Sequence, residues 1–100
     1  MSSGYVGILS VELHFPEAGS LKDKRQHLRS AKAQLHNRFG ASVAETAHHD
    51  VWQRSRLVIA LTAGEANALE RLMNSAERYL QGQEYELAVL ERRIIAPGDE

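Results

Sequence analysis

Residues 5–15 alternate between apolar and mixed positions: Tyr5, Gly7, Leu9, Val11, Leu13 and Phe15 on one side, Val6, Ile8, Ser10, Glu12 and His14 on the other. A period of two in β-forming residues predicts a strand with one fully buried face. Pro16 lacks the amide a ladder needs and ends it. The pattern then lengthens. Leu21, Lys24, Leu28, Ala31, Leu35 and Phe39 recur at helical spacing, with Ser20 and Asp23 as a short version of a capping box and Gly40 as the stop. These signals predict a helix over 21–39.

Small β-compatible residues at 41–47 predict a weak strand, and 55–63 a strong one whose apolar face is Leu57, Ile59 and Leu61. Ala66, Leu69, Leu72, Met73, Ala76 and Leu80 form the stripe of a second helix over 65–81, closed by Gly82. A last strand runs over 85–95 through Leu87, Val89 and Leu90, and the tail 96–100 should fray. The order strand, helix, strand, strand, helix, strand predicts an α+β ferredoxin-like βαββαβ sandwich: a four-stranded antiparallel sheet with both helices on one face. It occupies one domain, 1–100, with an ordered core over about 5–95.

Composition narrows the picture. The 100 residues are 43% hydrophobic and 25% charged, ordinary for a globular chain. No apolar run approaches the ~20 residues of a membrane span, and Met1–Gly4 is too short and polar to be a leader. The absence of cysteine removes disulfides and thiolate metal sites and fits a reducing, cytoplasmic setting. The net charge is -1, but residues 21–39 hold Lys22, Lys24, Arg25, Arg29, Lys32 and Arg38 against the single acid Asp23. A basic segment on a near-neutral chain is a candidate contact surface.

Three features carry candidate chemistry. Lys22, Arg25, Arg29 and Lys32 are spaced by three, four and three, which puts them on one helical stripe suited to phosphate contacts; a merely solvated face is the competing reading. Arg54 is a further candidate for the same contacts. Second, the segment Glu45 to Arg54 gathers Glu45, His48, His49, Asp50, Trp52 and Gln53. Adjacent histidines on a strand point to opposite faces and no His-x-His or His-x-x-x-His spacing occurs, so no metal site or cofactor is expected. Acid–base work by a histidine beside Glu45 or Asp50 is conceivable, but no nucleophile stands beside an obvious base, so catalysis is the less favoured reading. The structural reading has Trp52 plugging an edge of the core and its neighbours holding loop backbone or a subunit contact. Third, the sheet face away from the helices carries Val6, Ile8, Val58 and Ala60 but no aromatic residue on which bases would stack. An apolar patch of that kind favours a twofold dimer, packed face to face or edge to edge. No glycine-rich phosphate loop is present.

Ser20-Leu21-Lys22-Asp23-Lys24-Arg25, then Asn37-Arg38-Phe39 with Val43-Ala44-Glu45, then His49-Asp50-Val51-Trp52-Gln53-Arg54, in that order, resemble the bacterial YlxP-like family, small proteins of unknown function. The resemblance covers about residues 5–95. Where that family offers His-Gln-Asp, this chain reads His48-His49-Asp50. The resemblance implies a ferredoxin-like fold and a gene neighbourhood rich in translation and ribosome-maturation factors. It brings no catalytic residues; Lys22, Asp23, Lys24, Arg25, Glu45, Asp50, Trp52, Gln53 and Arg54 match its signature positions. The expectation is a small cytoplasmic, homodimeric binding module that contacts RNA or a ribosomal particle through the basic helix. The alternative is a structural or small-ligand-binding oligomer using Glu45–Arg54. Asp23 as a helix cap, and Lys24 or Arg25 paired with Glu45, are the competing structural roles.

Overall fold

The computed structural model describes residues 4–98; Met1–Ser3, Asp99 and Glu100 lie outside the described residues, so the readings of a leader and of a frayed end are not addressed there. The element order is β1 (Tyr5–His14), α1 (Leu21–Phe39), β2 (Ser42–Ala47), β3 (Arg54–Ala63), α2 (Ala66–Gln81) and β4 (Glu86–Ile95). The strands form one antiparallel sheet in the order β2-β3-β1-β4. This is the ferredoxin-like α+β arrangement expected from the alternation of periods.

Ser20 accepts from the Asp23 amide at the start of α1, and the Asp23 carboxylate accepts from the Gly19 amide. The aspartate takes the amide of Gly19, before the cap, in place of the cap residue's own amide that a full capping box would use. Gly40, at φ 68°, closes the helix in the left-handed conformation that glycine adopts without strain.

Both helices cover the face that bears the odd residues of β1 and β3. Leu9, Val11, Leu13 and Phe15 meet Leu57, Ile59 and Leu61 from the sheet, Leu28 and Leu35 from α1, and Leu69, Met73 and Leu80 from α2, all buried. Gly7 belongs to this face. A Cβ there would lie 2.5 Å from Met73 Sδ and 3.2 Å from Leu69 Cδ1, so a side chain would require the Met73 thioether to move aside.

One expectation changes. Trp52 does not plug the core; it is 51% exposed at the tip of the β2–β3 loop. The β1–β3 ladder runs to Arg54 and Phe15 bonds Gln53 beyond it, which leaves too little chain to fold the loop back over the core edge. On β4, the β1 pairing shifts between Ser10 and Val11, so Ser10 opposes Glu91 and Val11 opposes Val89. The expected last strand is present; Leu90 is the extra residue of a bulge in it, and Val89 and Leu90 are 41% and 51% exposed.

Candidate functional site

Lys24 holds a position in the apolar stripe of α1, and it stays there with its charge: it is 1% exposed. Its Nζ donates to Glu45 Oε2 at 3.1 Å and to the backbone carbonyls of His48, His49 and Arg54 at 2.8, 3.2 and 3.2 Å. Three N–H bonds serve four acceptors, so at least one is shared. Glu45 Oε2 accepts a second bond, 2.6 Å, from the buried Ser55 hydroxyl. Partial burial pushes the Glu45 carboxyl up, but the bonds from Ser55 and Lys24 and the charges of Lys24 and His49 outweigh it and hold it below the ordinary carboxylate range. A buried ammonium left without such partners would cost several kcal/mol (~3–5 once one partner of a pair is removed). Here it gathers three carbonyls of one loop much as a bound cation would.

The same loop is gripped from the other side of the sheet. Glu12, on the face without helices, puts Oε1 2.9 Å from Arg54 Nη2 and 2.9 Å from His48 Nε2, and accepts from Arg56 Nε on Oε2 at 3.1 Å. The register places Glu12 directly opposite Arg56 and His14 opposite Arg54, which delivers both arginines to it. Partial burial raises the Glu12 carboxyl, and the bonds from Arg56 and Arg54, with the charges of Arg56 and His48, bring it below its usual value. His48 sits at φ 65°, a left-handed conformation that costs a non-glycine residue energy. That turn aims its carbonyl at Lys24 and its ring at Glu12.

The candidate segment therefore does not converge. His48 reaches Glu12, while His49 Nε2 lies 3.1 Å from the Glu45 carbonyl oxygen. Asp50, Val51, Trp52 and Gln53 line an open hollow of about 280 Å³ from which both histidines turn away. Among the described residues no group of three or more histidine or acidic side chains is placed to hold a metal ion, and no helix is long and apolar enough to cross a membrane.

The basic helix divides as well. Lys24 is inside, and Arg38 stacks over the Phe39 and Tyr79 rings, 5.4 and 5.2 Å from their centroids. Arg54 lies on the sheet face opposite the helices and does not join α1. The remaining four, Lys22, Arg25, Arg29 and Lys32, make no ion pair among the described residues. Arg25, Arg29 and Lys32, with Leu28 as floor and Glu45 at one side, line an open groove of about 340 Å³ beside β2. Asp23 caps its helix and takes no further part.

Sequence reasoning missed Glu12, whose role depends on two arginines and a histidine brought from more than thirty residues away. It also missed Tyr85, which stacks edge-on to Phe15 at 5.3 Å and beside His27. The Tyr85 hydroxyl is buried without a hydrogen-bond partner among the described residues, and burial raises its pKa. A polar hollow of about 130 Å³ bounded by His27, Ser30, Tyr79, Gln83 and Glu84 adjoins it, roomy enough for water.

Comparison with known proteins bears on what these networks belong to. The family described as a protein of unknown function (DUF503) matches residues 6–94. The uncharacterized protein YlxP of Bacillus subtilis (strain 168) is 32% identical over 66 residues, which span 66% of this chain and 72% of that protein. The de novo designed protein Ferredog-Diesel is similar at 12% identity and a TM-score of 0.41, over 91% of this chain and 88% of its own. With the family match running nearly end to end and the YlxP identity alongside it, the chain belongs to the DUF503 family of proteins of unknown function.

Proposed function

We propose that this protein is a small cytoplasmic binding module that holds RNA, free or in a ribosomal particle, by phosphate contacts from α1. The observation that supports it is the set of four cations, Lys22, Arg25, Arg29 and Lys32, on one side of the helix with no ion-pair partner among the described residues. Three of them line the groove beside β2. Glu45, the acid that lines the groove, is already paired with Lys24, which favours a positive potential there. Phosphates fit such a stripe because each contact releases a counterion, which makes binding favourable and salt-dependent. The sheet face offers no aromatic platform, so contacts are to the backbone and carry little sequence preference.

Co-sedimentation with small ribosomal subunits, and anisotropy with a labelled single-stranded RNA, test the reading across a salt series. Salt-sensitive binding is expected, with each lost phosphate contact lowering the log–log slope by about 0.7–0.9. The double variant Lys22→Glu/Arg25→Glu should abolish it. Binding that survives in that variant, or that ignores salt, defeats the reading.

A further inference from the structure

Of the large apolar side chains left exposed among the described residues, Val89, Leu90, Ile94 and Ile95 all lie on β4. β4 is an edge strand ten residues long, and it contains no proline and no lysine of the kind that usually blunts such an edge. Its outward amides can be identified. The Phe15 amide donates to the Gln53 carbonyl at 2.8 Å, continuing the β1–β3 ladder by one pair. Odd residues of β1 therefore turn their amides and carbonyls to β3, and even residues turn theirs to β4. Ser10 opposes Glu91 and Ile8 opposes Arg93, so those β4 residues are bonded inward. Arg92 and Ile94 turn their N–H and C=O groups outward, at the free edge.

We propose that this edge binds a second copy of the chain, β4 against β4, antiparallel about a twofold axis at Arg92. In that register Glu91 of one copy faces Arg93 of the other. Each pair joins the Glu91–Arg93 contact already made along the strand, 3.5 Å, in an alternating ring of four charges on the open face. Leu90 faces Ile94 on the other side. The two Arg92 side chains meet there too, but each is held by Glu77 at 2.8 Å and Asn74 at 2.9 Å of its own α2, so that side carries no net charge. Moving the axis to Glu91 or to Arg93 sets like charges against each other. An axis between residues sets outward amides against inward ones. Among axes centred on the charged run Glu91–Arg93, charge and amide parity thus favour the one at Arg92. The basic stripe of α1 lies by β2, at the far edge of the sheet, so pairing leaves both stripes free and does not rest on the RNA reading.

The test is the solution mass of the full chain by light scattering over a concentration series. The expected mass is twice that of the 11.2 kDa chain at high micromolar concentration. Glu91→Arg and Arg93→Glu should each weaken dimerisation by roughly tenfold or more, because two pairs become repulsive at once. The exchange Glu91→Arg/Arg93→Glu should restore it, since the ring reforms with its charges swapped. Far-UV circular dichroism of the single variants should remain that of the parent, as both side chains are exposed. A single-chain mass at every concentration overturns the proposal. So does a dimer indifferent to the single variants, which would place the interface elsewhere, or a swap that fails to rescue.

Discussion

Glu45 and Glu12 sit on opposite faces of one sheet and hold the same loop by different means. Glu45 is on the helix side, paired with a lysine that is almost wholly buried, and the loop is held through the carbonyls of His48, His49 and Arg54. Glu12 is on the open side, paired with arginines that are half in water, and the loop is held through the side chain of Arg54, with His48 Nε2 2.9 Å from Glu12 but outside hydrogen-bond geometry. His48 and Arg54 serve both networks, one with the backbone and the other with the side chain. The difference is one of dielectric. An ion pair inside the protein is costly to break because the surviving charge cannot find water. The exposed pair is screened and contributes little.

The largest test of that contrast is Lys24→Met. It leaves Glu45 without its cation and three loop carbonyls without a donor, and should cost about 3–5 kcal/mol in urea denaturation. Addition of Glu45→Gln should recover part of it by removing the stranded charge. A loss below about 1 kcal/mol would mean that water already reaches the site.

Glu12→Gln should cost about 1 kcal/mol or less at neutral pH. Its pH dependence gives the sign. The Glu12 carboxyl titrates lower in the folded chain than in the unfolded one, so its contribution is complete above the unfolded value and is lost as pH falls through the folded value. Parent and variant should therefore converge in acid, and an undiminished difference there would exclude the charge as its cause. Glu45 follows the same direction, so the parent itself should lose stability over that acidic range.

The smallest effect is expected for His48→Gly. Release from the left-handed conformation favours the variant by about 1 kcal/mol, and loss of the ring contact to Glu12 opposes it by a similar amount. The carbonyl that meets Lys24 is retained. Net change should be within about 1 kcal/mol of zero; a loss as large as that of Lys24→Met would show that the ring, not the backbone, secures the loop.

Lys24 marks how far the sequence could be read. Its place in the apolar stripe of α1 signalled burial, and its pairing with Glu45 was one of the roles the residue types allowed. The three carbonyls it collects were not legible, because every residue has one and only the loop's path aims them. Of the six cations counted over 21–39, the four that the spacing set on one stripe stay outside, while Lys24 is core and Arg38 covers two aromatic rings. Trp52 erred in the opposite direction. A lone tryptophan among polar residues resembles an anchor, yet the ladder from Arg54 to Phe15 fixes its loop outside the core.

The sequence by itself determined the six elements, their order and the buried faces of β1, α1, β3 and α2. Those follow from local periodicity, caps and glycine stops, which a chain carries whatever its surroundings. Tertiary structure decided what opposes what: Glu12 with Arg56, the bulge at Leu90, the carbonyls around Lys24, and which amides of β4 face outward. These depend on strand register and on residues far apart in the chain. A shift of one residue in register would turn each of those side chains to the other face without altering a single local propensity.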